Sequence, residues 1–222
     1  MMANLFSIFD PASVMNMSLN WSSILIGLAI LPPSFFLFNS RTLSAWGTLI
    51  SYLNKEVSTL LPTKVHHFMV IFLALFMFIM FNNSLGLLPH IFTASSHLVF
   101  TMSLALPIWL GYYMYGWVNK FKGMMAHLVP SGTPAPLIPF MVVIETVSSL
   151  IRPLTLAVRL AANMIAGHLL MALLSNYATI FAPTMFVVVA GGQVLLLTLE
   201  TAVAVIQAYV FMVLSVLYVS EI

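Results

Sequence analysis

Apolar positions run along the chain in long uninterrupted stretches, and polar positions gather in the gaps between them. Trp21 to Phe38 is apolar, close to the ~20 residues a membrane span needs, with Pro32-Pro33 inside it. Membrane helices tolerate proline better than soluble ones, so a kink or an early exit is expected there. The next segment has a different rhythm. Leu43, Trp46, Leu49, Ile50, Leu53, Val57, Leu60 and Leu61 recur at three-and-four spacing. Ser44, Thr48, Ser51, Asn54, Lys55, Ser58 and Thr59 take the other face. Residues 43–61 therefore predict an amphipathic helix lying on the membrane; docking on a soluble partner domain is the alternative. The most continuous apolar run, 66–88, predicts a span ending in Asn82-Asn83-Ser84-Leu85-Gly86. After a turn at Pro89 to Ser96, residues 97–117 predict the span that completes a transmembrane hairpin. Trp109, Tyr112, Tyr113, Tyr115 and Trp117 cluster at one end of it, as in an interfacial aromatic belt. Asn119 to Pro136, with two lysines, three prolines and two glycines, reads as a loop.

Two further segments, 137–175 and 182–219, contain few turn signals beyond Pro153, Pro183 and Gly191-Gly192. As single helices each would be roughly 55–60 Å long, against a bilayer core of ~30 Å. Either each breaks, or each lies about 60° from the membrane normal, where ordinary spans tilt by ~20°. A tilt that steep requires a protein surface or a curved wall to lie against. The expected fold is an all-α integral membrane protein of about six helices in one membrane domain, 1–222. It has one N-terminal span, one amphipathic surface helix, one transmembrane hairpin and two long helices.

Composition narrows the function. The 222 residues are 62% hydrophobic and 5% charged, with mean hydropathy +1.09. Soluble domains carry roughly 25% charged residues, so a soluble enzyme, a disordered chain and a nucleic-acid binder are all excluded. The absence of cysteine excludes a disulfide scaffold, a thiolate zinc site and a cysteine nucleophile. The 16 methionines serve packing. The first positive residue is Arg41, so neither a signal peptide nor an Arg-rich transit peptide is expected. If the first run spans, Arg41, Lys55, Lys64, Lys120 and Lys122 share one side and Asp10 the other. The positive-inside rule makes that side the cytoplasm or matrix.

The polar residues that survive in the long segments carry the candidate chemistry. Ionisable groups in lipid cost several kcal/mol and usually mark ion or proton pathways. Glu145, Arg152 and Arg159 are spaced by seven and form one stripe, with Asn163 one turn beyond Arg159. His168 is nine residues after Arg159, about 180° around the helix, and so faces another element. In the second segment Gln193, Glu200 and Gln207 repeat the spacing of seven, and Glu221 lies two heptads further. Plainer readings stay open: Arg152 as a snorkelling end residue, Glu221 as a solvated terminus, Gln193 as an interhelical hydrogen bond. Arg159 is harder to explain away. Its neighbours Leu156, Ala157, Val158, Leu160, Ala161 and Ala162 are apolar, and no acidic residue lies within nine positions. A permanently charged guanidinium there needs a counter-charge from another chain or element. Small residues at Ala157, Ala161, Ala162, Ala166 and Gly167 allow a close helix approach. His66, His67, His90, His97 and His127 lie at or near span ends, and most are expected to be interfacial. No His-Glu-x-x-His motif, phosphate loop or serine nucleophile motif is present, so no metal, no cofactor and no active site of its own are expected.

The run Leu156-Ala157-Val158-Arg159-Leu160-Ala161-Ala162-Asn163-Met164-Ile165-Ala166-Gly167-His168 resembles subunit a of the rotary ATP synthases, the stator of the membrane sector. Ala126-His127-Leu128-Val129-Pro130 with Gly132-Thr133-Pro134 resembles the loop before the family's fifth helix. Ile144-Glu145-Thr146, Ile151-Arg152-Pro153, Glu200-Thr201-Ala202 and Ile206-Gln207-Ala208-Tyr209-Val210 fit as well. Asn4-Leu5-Phe6-Ser7 and Phe9-Asp10-Pro11 resemble the mitochondrially encoded animal form, arthropod sequences most of all.

The resemblance implies a role for each polar residue. Arg159 matches the stator arginine that faces the carboxylates of the rotor c-ring. His168 and Glu200 match the polar pair lining the channel from the intermembrane space. Glu145 and Glu221 match acidic residues of the exit to the matrix, and Asn163 and Gln207 match polar neighbours of the arginine. Bacterial relatives carry Glu at the His168 position and His at the Glu200 position, so the pair is kept while its members trade places. The implied function is a proton-conducting stator subunit in the mitochondrial inner membrane. Its implied partners are the c-ring, other stator and peripheral-stalk subunits, lipid and protons. A secondary transporter is the competing class, but such proteins usually show two homologous halves and no internal repeat is visible. A structural subunit of a respiratory complex would leave Arg159 and the polar stripes without a purpose.

Overall fold

The computed structural model describes residues 9–12, 18–29, 40–61, 68–88, 91–129, 134–180 and 183–220. Regular structure among the described residues is helical throughout. A 3-10 turn, Leu19–Ser22, leads into α1 (Ser23–Ala29). This covers the start of the expected N-terminal span; Pro32-Pro33 and the rest of it lie outside the described residues.

The amphipathic segment forms α2 (Arg41–Leu60). Ser40 caps it, its Oγ accepting from the Leu43 N–H at 3.2 Å and satisfying one of the donors a helix start leaves open. Leu53 and Val57 bury their side chains against α3 (Met69–Gly86) and α7 (Pro183–Ser220). Ser44, Thr48, Ser51 and Ser58 turn their hydroxyls back onto carbonyls of the preceding turn. One face of α2 is therefore docked on the bundle, and the other is exposed.

α3 and α4 (Leu98–Asn119) form the hairpin, joined through a 3-10 turn at Ala94–Ser96. Phe68 and Phe72 meet Tyr112 at ring-centroid distances of 5.9 and 5.8 Å, so the chain descends one helix and returns along the other. The aromatic cluster forms a ladder: Trp109 stacks on Tyr113 at 4.7 Å, and Tyr113, Trp117 and Phe121 continue it edge-on. The expected loop at 119–136 is corrected over part of its length, since Phe121–His127 is a helix, α5. Lys120 leaves helical geometry and ends α4. Seven residues then give too few apolar repeats for periodicity to reveal the helix that follows.

α6 (Ile138–Ile180) has 43 residues and α7 has 38, hence lengths of about 64 and 57 Å. Neither breaks, and Pro153 sits inside α6. The two pack together, with α6 also against α4 and α7 against α3. Their shared core holds Phe72, Phe76 and Ile79 of α3, Leu156 and Leu160 of α6, and Phe211 of α7. Four helical segments are long and apolar enough to cross a membrane: Met69–Gly86, Leu98–Asn119, Ile138–Asn176 and Val187–Ser220. Many large apolar side chains on their outer faces stay exposed, among them Val70, Val99, Val187 and Val188. That pattern is a multi-pass membrane protein, with lipid or partner subunits for its outer solvent.

Candidate functional site

The long helices carry two polar groups at opposite ends of the bundle, with one charge between them. At the end where α4 finishes, Arg152 Nη2 lies 3.8 Å from Glu145 Oε1. The seven-residue spacing that put them on one stripe brings them together. The Arg152 guanidinium also lies 5.8 Å from the ring centroid of Tyr218, near the end of α7. Arg152 is thus half-buried in a polar and aromatic setting rather than free in lipid. The pair opens into a cavity of about 350 Å³ whose walls include Trp109, Trp117, Ser149 and Tyr218.

At the other end, His168 Nε2 stands 3.8 Å from Glu200 Oε1 across α6 and α7. That separation exceeds hydrogen-bond reach and suits a relay through a bridging water. Glu200 is buried, and the backbone of Gly167 makes room for it, since a Cβ there would collide with the Glu200 carboxylate. His168 and Gln193 border a cavity of about 410 Å³. The ring of Phe9 meets that of His168 edge-on at 6.4 Å, so the N-terminal segment reaches this end of the bundle.

Arg159 stands between the two groups. The helical rise sets it about 21 Å along α6 from Glu145 and about 14 Å from His168. It is exposed and makes no hydrogen bond or ion pair with another described residue. Asn163 and Gln207 are half-buried, and among the described residues neither hydrogen-bonds Arg159. Glu221 lies outside the described residues. The cavities beside Glu145 and His168 share no lining residue.

The arrangement thus brings together Glu145 with Arg152, and His168 with Glu200, and sets Arg159 apart. Gly167 was expected to allow a close helix approach, and what approaches is the Glu200 carboxylate. Two contributors escape sequence reasoning. Tyr218 matters only through a partner on the facing helix, which periodicity on one helix does not reveal. Asn83 is fully buried within α3, its Nδ2 donating to the Ala204 carbonyl at 3.4 Å; an amide inside the most apolar run was its available signal. The His97 ring lies 5.2 Å from Trp21 and 5.1 Å from Phe92 at the start of α4. His66, His67 and His90 lie outside the described residues.

Residues 3–220 match the family of the ATP synthase A chain. The chain is 53% identical over 223 residues to ATP synthase subunit a of Drosophila mauritiana and of Drosophila melanogaster, covering 100% of each pair. It is 52% identical over 225 residues to ATP synthase subunit a of Anopheles gambiae, again covering 100% of both.

Proposed function

Because the chain belongs to the ATP synthase A chain family, and so to the membrane sector of a multi-subunit complex, we propose that it is the proton-conducting stator subunit. The observation that carries this reading is the placement along α6: two polar pairs at opposite ends, each beside its own cavity, with exposed Arg159 between them.

Protons enter at the Glu200–His168 end. Each passes to an ionised carboxylate on the rotor c-ring facing α6. The neutral carboxyl so formed crosses lipid, where an ionised one is too costly. After nearly a full turn it meets the opposite pathway and releases its proton towards Glu145, with Glu221 further along the exit. Arg159 remains protonated and attracts the returning carboxylate. Its charge also repels protons from the direct route between the two half-channels. Asn163 and Gln207 hold the polar surroundings of the arginine. An imidazole at His168 favours protons over sodium, which prefers hard oxygen ligands.

The membrane is the mitochondrial inner membrane, as the insect relatives and the positive-charge distribution suggest. The lysine-bearing end of α4 and α5 faces the matrix, together with the C-terminus. The N-terminus lies in the intermembrane space, in keeping with Phe9 beside His168. Lipid and the other stator and peripheral-stalk subunits cover the remaining apolar faces.

The test uses vesicles carrying the whole complex with Arg159 intact or changed to Ala. ATP synthesis under an imposed gradient is expected to vanish, while passive proton leak persists or rises and assembly is kept. Coupled synthesis at the normal rate in Arg159→Ala would overturn the reading.

A further inference from the structure

Seven buried side-chain nitrogen and oxygen atoms of the described residues have no hydrogen-bond partner. One, Trp117 Nε1, is near the end of α4. The other six are Asn83 Oδ1, Ser95 Oγ, His97 Nε2, His168 Nε2 and both carboxylate oxygens of Glu200. All six lie towards the opposite end of the bundle. A buried polar atom left unpaired costs about 1–3 kcal/mol, and most such atoms in folded proteins are satisfied by protein or by ordered water. Six together mark a wet region rather than a packing accident.

Neighbouring contacts link the elements that carry these atoms. Asn83 bonds the carbonyl of Ala204, one turn after Glu200 on α7. One turn beyond Asn83 on α3, Gly86 lets Thr93 and Met164 close in, which seats the 3-10 turn Ala94–Ser96 against α6 one turn before His168. Ser95 in that turn is fully buried. His97 follows it, its ring in a three-ring cluster with Trp21 and Phe92, which also touch each other. Ser96 and His97 border a cavity of about 400 Å³ that also touches Ala161, Ala162 and Ile165 of α6. Phe9 also lines this cavity, and its ring meets that of His168.

We propose that Ser95 and His97, on the turn between α3 and α4, are further proton-path residues, forming the outer leg of the inlet that feeds the His168–Glu200 pair. The proposal rests on the proton-conducting reading. Each step is a proton transfer only: His97 takes a proton from water on one side and gives one to water on the other. Its imidazole suits this, accepting at one nitrogen and donating from the other. The Ser95 hydroxyl both donates and accepts, so it can hold a water between His97 and Asn83. Contact with the rings of Trp21 and Phe92 orients the imidazole, and with it Nε2.

The experiment compares His97→Phe, Ser95→Ala, His168→Ala and Arg159→Ala in vesicles carrying the whole complex. His97→Phe keeps a ring in the aromatic cluster and removes both nitrogens. Synthesis at a fixed gradient, per assembled complex, is expected to fall at least fivefold in His97→Phe and two- to threefold in Ser95→Ala. The solvent deuterium isotope effect should rise in both as proton entry becomes limiting. A dry, structural hydroxyl would behave oppositely, since deleting it would leave synthesis and isotope effect unchanged. If His97→Phe does not assemble, Ser95→Ala decides. Wild-type rates and isotope effects in the two turn variants, with Arg159→Ala and His168→Ala inactive, would overturn this proposal alone. An active Arg159→Ala would bring down the proton-conducting reading and this proposal with it.

Discussion

A missing side chain positions the His168–Glu200 pair. Glycine at 167 allows Glu200 to lie against the α6 backbone, within 3.8 Å of His168. Gly167→Ala inserts a methyl group into the space of the Glu200 carboxylate and must push it aside. Synthesis in vesicles is expected to drop about tenfold, equivalent to ~1.4 kcal/mol on the limiting barrier. Gly111→Ala is the control, because a Cβ there meets nothing within 4 Å and alanine favours the helix. Equal rates in the two variants would show that the Glu200 position is not set by residue 167. At this scale the sequence was readable where one helix sufficed. Seven-residue spacing placed Glu145 and Arg152 on one stripe, where they meet, and a nine-residue offset turned His168 away from Arg159. Asn83, Ser95 and Tyr218 stayed hidden because their roles depend on which surfaces meet across elements.

Among the elements, α2 is the one whose environment the pattern left open. Its apolar stripe is partly consumed by the bundle: Val57 and Leu53 are buried, and Trp46 packs on Phe81 at 5.4 Å. Tyr209 of α7 also donates to Glu56 Oε2 at 3.3 Å on the exposed edge of this contact. Burying an unpaired carboxylate is far costlier than losing an exposed hydrogen bond. Val57→Asp should therefore detach α2, at a cost of about 3 kcal/mol or more, and expose the Lys55 peptide bond to trypsin. Tyr209→Phe should cost ~1 kcal/mol or less and leave the digestion pattern unaltered. Comparable cleavage in both would mean that α2 is held by lipid rather than by α3 and α7. Long elements were legible because apolar runs of this length have few alternatives in a membrane. α5 was not, being too short to display a period.

For the molecule as a whole, the lengths of α6 and α7 pose a question about the bilayer. Val147 and Leu173 both lie exposed on α6. Their separation of about 39 Å along the axis exceeds the ~30 Å hydrocarbon core. An upright helix cannot hold both in lipid, whereas a tilt near 60° sets them only ~20 Å apart in depth. Spin labels at the two positions should both be relaxed by a lipid-soluble quencher; one label answering only to a water-soluble quencher would rule the steep tilt out. Pro153 bears on the mechanics of such a helix. It lacks an N–H, so the Ser149 carbonyl loses its helical partner there, and a beam bends first at its missing rung. Yet Pro153 is fully buried between Ala105 and Ile108 of α4 and Phe211 and Ser215 of α7, beside a gap of only about 10 Å³. In the proposed stator role, a turning rotor would load the chain sideways. The clamp at Pro153 passes that load from α6 into both neighbouring helices, so the weakest point of the long strut is also its best-braced one.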